Sequence, residues 1–232
     1  MNSDSSSFSD LVLQLGAALA IAALFIVVFF ASFSRKSGVK VPASWTLWYM
    51  LAGVVAMIVA LGIFVGVHAL GFALPFPPVT AAIVEESLKL FAFLFVFARK
   101  PSPGMDTFDD PLHAASGTLG ALALGLGFGL FENLFYSLGN WPLLLARQAL
   151  TVPLHGLTLG LVAREIGKRE DAPDQASRKR RDLSLRIAFL IAIVLHAGYN
   201  VLLIMGQPWY WGSAIIVLVL ALYTYKRIEA DL

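Results

Sequence analysis

Nine residues that could do acid–base or metal chemistry lie in stretches that, Asn133 and Gln148 apart, are predominantly apolar, small or hydroxylic. Glu85, Glu86 and Lys89 fall in one stretch, Glu132 and Tyr136 in the next, Arg147 and His155 in a third, and His196 and Asn200 in a fourth. Paired carboxylates crowd one another's charge, so one of a pair can act as a general base. Two neutral imidazoles and a carboxylate can form a three-ligand zinc site with an open position; His155, His196 and Glu132 offer such a set. A metal-bound water, or a water held between glutamate and histidine, could attack a carbonyl. Asn200 could then donate to the developing oxyanion. Lys89, Arg147 and Tyr136 are candidates for charge balance or substrate positioning. The chain has no cysteine, which excludes thiol nucleophiles and cysteine-ligated metals. No Ser-x-x-Lys, Gly-x-Ser-x-Gly or Gly-Asp signature falls in an apolar stretch, and His-Glu-x-x-His is absent.

The elements that carry these groups are expected to be transmembrane helices. The 232 residues are 58% hydrophobic and 14% charged, against about 25% charged in an average globular chain. A net charge of +2 without a basic, aromatic-interleaved stripe argues against a nucleic-acid partner. Spanning a bilayer takes about 20 apolar residues per helix. Seven stretches qualify: 11–33, 44–67, 79–98, 114–137, 142–164, 185–206 and 209–225. Lys and Arg follow the first, third, fifth and seventh, while the connections near 74–78, 137–141 and 207–208 carry none. This one-sidedness predicts an outside N-terminus and a cytoplasmic C-terminus. Residues 1–10 hold no Lys or Arg, and the apolar run behind them is too long for a cleaved signal. The reading is therefore an all-α, multi-pass protein of the cytoplasmic membrane, with a single integral domain over 1–232. Segment 165–184 is expected to be a cytoplasmic loop, whose consecutive bases Arg178, Lys179, Arg180 and Arg181 hold anionic lipid headgroups.

Helical rise tests whether the polar groups can meet. At about 1.5 Å per residue, Glu86 lies ~12 Å, Glu132 ~9 Å and His196 ~15 Å below the outer edge, with His155 an outlier at ~20 Å. Glutamates and histidines from four helices thus share a slab in the outer half of the bilayer. Four-residue spacing stacks Glu85 over Lys89, Glu132 over Tyr136 and His196 over Asn200. Gly117, Ala121, Gly125 and Gly129 form a small-residue stripe suited to close helix packing. Asn133 and Gln148 read as interhelical hydrogen-bonding groups. His68, His113, Asp106, Asp109 and Asp110 read as incidental headgroup or solvent residues.

Four motifs in order carry a family resemblance: Glu85-Glu86-x-x-Lys89; Gly125-x-Gly127-Phe128 followed by Phe131-Glu132-x-x-x-Tyr136; the isolated His155; and His196-x-x-x-Asn200. This set, within 80–206, resembles the PrsW family of intramembrane metalloproteases, related to the CAAX prenyl endopeptidases and bacteriocin-processing membrane proteins. The resemblance implies peptide-bond hydrolysis of a membrane-anchored substrate, of the anti-sigma-factor type. It assigns catalysis to Glu85, Glu86, Glu132, His155 and His196, with Asn200 assisting, and implies a divalent metal or a metal-free Glu/His mechanism. The prenyl endopeptidases instead carry Glu-Glu-x-x-x-Arg and a histidine in the second motif. Which of Glu85 and Glu86 is the base stays open: Lys89 pairing with Glu85 points to Glu86, and the prenyl-endopeptidase comparison to Glu85. Two other function classes use the same residues, a proton-coupled transporter and a non-catalytic membrane scaffold. No internal repeat supports the first.

Overall fold

The computed structural model describes residues 42–97, 112–137, 140–206 and 210–229, with positions 12, 13, 16, 17 and 20. Among them are six helices and no strand: α1 (Ala43–Ala69), α2 (Pro77–Phe97), α3 (Leu112–Ser137), α4 (Trp141–Glu170), α5 (Gln175–Met205) and α6 (Tyr210–Glu229). They correspond to the second to seventh expected spans. Most of the first, 11–33, lies outside the described residues, as do Asp106, Asp109, Asp110 and the side chain of His113.

Local chemistry sets the helix ends. Pro77 and Pro78 open α2, where a missing N–H costs nothing because first-turn donors have no helical partner. Asn140 caps α4 by accepting from the Leu143 N–H at 3.1 Å, and Gly206, at φ 74°, ends α5 in a conformation that glycine adopts freely. The polar segment 165–184 departs from expectation. It is mostly helix, with only residues 171–174 between α4 and α5. Asp174 explains the early restart, since its carboxylate accepts from both the N–H and the hydroxyl of Ser177 at 2.8 Å. Those bonds hold its pKa below the usual carboxylate range. Arg169 Nε then ties α4 to α5 through Asp182 at 2.6 Å.

Helix α3 is the hub, flanked by α1 and α4. Glycines on its two faces let the backbones approach: a Cβ at Gly127 would lie 2.2 Å from the Met50 carbonyl oxygen of α1. One at Gly125 would lie 2.2 Å from the His155 carbonyl oxygen of α4. The small-residue stripe is therefore shared, because Gly117 instead abuts Phe97 of α2. The polarity of the bundle is inverted relative to a water-soluble protein. Glu85, Glu86, Lys89 and His155 are buried, while Val55, Phe91, Leu190, Val194 and Leu218 face outward. Among the described residues, three helical segments, Ala43–Ala69, Gly117–Tyr136 and Gln175–Met205, are long and apolar enough to cross a membrane. In α2 the three ionisable residues Glu85, Glu86 and Lys89 interrupt an otherwise apolar helix, and all three are buried inside the bundle.

Candidate active site

Four helices each contribute to one buried polar cluster. Glu86 and Lys89 stand three residues apart on α2, and the Lys89 ammonium donates to Glu86 Oε1 at 2.6 Å. The expected stacking of Lys89 on Glu85 is thus replaced by an i,i+3 pair. The same Glu86 oxygen accepts from Thr158 Oγ1 of α4 at 3.2 Å and meets His196 Nδ1 of α5 at 2.8 Å. Lys89 Nζ continues to His155 Nδ1 at 3.1 Å and to Thr158 at 3.3 Å, and lies 5.4 Å from the centre of the Phe128 ring. An ammonium has only protons to give, so His155 Nδ1 accepts there and Nε2 carries the ring proton. That proton points to Glu132 Oε2 at 2.6 Å. The other Glu132 oxygen accepts from Arg147 Nη2 at 2.7 Å, and Arg147 Nε reaches Asn133 at 3.2 Å. Asn133 in turn donates to the Leu144 carbonyl at 3.2 Å, joining α3 to α4 as the sequence reading proposed.

His155 is not the outlier that helical rise suggested. Its ring lies 4.8 Å from the His196 ring, edge to face, and 5.0 Å from Phe128. Close backbone approach at Gly125 and Gly129 delivers it, a lateral effect that counting rise along an axis cannot capture. Pro153, two residues earlier, also removes a helical donor and frees the Ala149 carbonyl from its usual partner.

Glu85 is different from its neighbours. It is 4% exposed, yet its Oε2 has no hydrogen-bond partner among the described residues and lies 3.5 Å from His196 Nε2. With Nδ1 of His196 engaged by Glu86, Nε2 is the nitrogen turned toward that oxygen. A buried carboxylate oxygen left bare is costly unless something else binds it.

Among the described residues, the group whose ligand atoms come within 4.8 Å of one another is Glu85, His155 and His196. Glu85 therefore stands where the sequence reading put Glu132 as the carboxylate beside the two imidazoles. Glu132 has both oxygens committed, to Arg147 and to His155. The donor set is suited to a divalent cation such as zinc, and the Glu86–His196 contact resembles the outer carboxylate that orients a ligating imidazole. Asn200, one turn after His196, has its amide donating to the Pro78 carbonyl at the start of α2 at 3.4 Å. Tyr136 is half-exposed, its ring 5.5 Å from the Arg147 guanidinium carbon. His68 is exposed at the end of α1, apart from the cluster. Thr158 and Phe128 were missed as site residues. The signal for Thr158 was present, because it sits three residues after His155 and shares its helix face.

Inverted burial and a closed acid–imidazole cluster place the chain among all-helical membrane proteins with a polar interior. Comparison narrows that class: a family model described as "PrsW family intramembrane metalloprotease" matches residues 11–225, and the chain belongs to this family. A relative named "Protease PrsW" from Geobacillus kaustophilus (strain HTA426) is 29% identical over 152 residues, covering 65% of this chain. The matched region spans 61% of that relative's length. No solved structure matches.

Proposed function

We propose that the chain is an intramembrane endopeptidase of the cytoplasmic membrane that hydrolyses peptide bonds of membrane-anchored proteins. In this reading it forms one integral domain crossing the bilayer seven times, N-terminus outside, with a cleft among α2 to α5 open to the outer half. The observation that carries the proposal is the bare Glu85 Oε2, 3.5 Å from His196 Nε2, in a cluster whose other carboxylates are already bonded.

Water between Glu85 and His196 is placed to attack a substrate carbonyl carbon, with Glu85 taking its proton. The proton then passes to the departing amine as the C–N bond breaks. Glu86, fixed by Lys89 and Thr158, orients His196 rather than acting as the base. Arg147 and Tyr136 lie where a substrate carbonyl could be held, and Glu132 keeps His155 in its tautomer. Glu85, His155 and His196 would hold a divalent cation, which when bound would activate the water and polarise the carbonyl. A second reading, a metal-free Glu/His mechanism, is favoured by one observation: both nitrogens of His155 are already engaged, by Lys89 and Glu132.

The test is purified protein in proteoliposomes with a panel of single-pass membrane proteins, beside His196→Ala, with metal content measured in both. Cleavage by the wild type and none by the variant is expected. About one divalent ion per chain, lost in the variant, selects the metal mechanism; cleavage without bound metal selects the metal-free one. Transport of a labelled solute by the pure protein, unchanged in Glu86→Ala, would overturn both.

A further inference from the structure

A second concavity lies at the opposite end of the bundle, between α4, α5 and α6, with a volume of about 700 Å³. Its mouth is basic. Arg164, Lys168 and Arg181 line it, with Glu165 as the acid among the lining residues. Arg164 Nη1 bonds Glu165 Oε1 at 2.8 Å, and Arg181 Nη1 lies 4.0 Å from Glu165 Oε2. Among the residues that line the mouth, three are cations and one is a carboxylate. Arg164 is only 5% exposed, so part of that charge is held inside the protein.

From this mouth the walls become apolar through Ile191, Leu195, Ile215 and Val219. Along α5, the fourteen positions from Arg181 to Leu195 span ~21 Å of helix, which exceeds the ~15 Å depth of one bilayer leaflet. Ile191, Ile215 and Val219 are exposed, so the groove opens sideways rather than toward water. A cationic end on a leaflet-long apolar trough complements a molecule with an anionic head and an acyl tail.

We propose that this groove binds one anionic phospholipid, its phosphate on Arg164, Lys168 and Arg181 and an acyl chain along Ile191, Leu195 and Val219. The basic run at the start of α5 is thereby divided. Arg181 belongs to the groove, whereas Arg180 bonds Ser177 and Lys179 lines a separate solvent-facing hollow with Asp174 and Asp182. None of the buried glutamates and histidines of the cluster lines this groove, and its occupancy is measured without any cleavage assay.

The experiment is native mass spectrometry of the full chain in detergent, titrated separately with dioleoyl-phosphatidylglycerol and dioleoyl-phosphatidylcholine. One phosphatidylglycerol per chain is expected to survive at collision energies that strip phosphatidylcholine. Lys168→Ala/Arg181→Ala is expected to weaken retention by ~10-fold or more. Ile191→Trp, which fills the apolar end and leaves every charge in place, should weaken it as well. Lys179→Ala/Arg180→Ala should not. Equal retention of both lipids, or retention unchanged in both the charge and the Trp variants, would overturn the proposal. So would displacement by inorganic phosphate alone, or preferential binding of a single-pass peptide with an acidic flank.

Discussion

On either side of α3, glycine does the same mechanical work to different ends. Toward α1, Gly120 and Gly127 admit Tyr49 and the Met50 backbone, and the surrounding contacts are Met57, Ala56 and Ala60 against Phe128. Toward α4, Gly125 and Gly129 admit the backbone and ring of His155, with Glu132 reaching across to it. Small residues let helices pack closely where lipid supplies little drive for association. At the α1 face that closeness yields an apolar seam; at the α4 face it sets an imidazole within reach of three other helices. Substitutions on the two faces should therefore separate stability from chemistry.

The largest separation is expected between Glu132→Gln and Met57→Ala. The first leaves His155 Nε2 facing an amide instead of a carboxylate and should cut cleavage by about 10²–10⁴-fold with the fold retained. The second empties a fully buried site and should cost about 2–5 kcal/mol of stability, with the rate per folded molecule reduced far less than in Glu132→Gln. Cleavage rate beside thermal unfolding in the same detergent reads both, and equal loss of activity in the two variants would erase the distinction.

Methyl insertion makes a finer pair. A Cβ at Gly129 would lie 2.7 Å from His155 Cδ2, and one at Gly120 would lie 2.7 Å from Tyr49 Cζ. Both sites must shift to make room. Gly129→Ala displaces a reacting-site ring, and a misplacement of ~1 Å can cost about 10²-fold in rate. Gly120→Ala should lower thermal stability and leave the rate near wild type. Reversal of that order would mean that the α4 face does not position the chemistry.

Asn200→Ala is the mildest case. With its amide on the Pro78 carbonyl, Asn200 clamps α5 to the first turn of α2. Its loss should lower the rate by less than about 10-fold, whereas removing an oxyanion donor costs about 10²–10³-fold. A fall of the larger size, seen in kcat rather than KM, would return Asn200 to the oxyanion role.

The sequence was informative where physics is one-dimensional. Apolar runs located six helices to within a few residues at most ends, and the cost of charge in lipid singled out Glu85, Glu86, Lys89, Glu132, His155 and His196 before any contact was known. It was less informative where partners are chosen across helices. Lys89 prefers Glu86 to Glu85 because His155 and Thr158 of α4 draw its ammonium to that side. Glu132 rather than Glu85 read as the carboxylate beside the imidazoles, since nothing in spacing reveals that Arg147 occupies it. The segment 165–184 looked like a loop because it is polar, yet polarity says only that water is near. Asp174 and the Arg169–Asp182 bridge keep most of it helical.

The most direct test of the central claim, that Glu85 and His196 flank the reacting water, is the cleavage rate of Glu85→Gln in proteoliposomes with a single-pass substrate. Glutamine keeps the shape of the side chain and removes only the charge and basicity. The account predicts cleavage reduced by at least ~10²-fold, with unfolding temperature close to that of the wild type because the shape of the buried side chain is kept. Cleavage at the wild-type rate would contradict it.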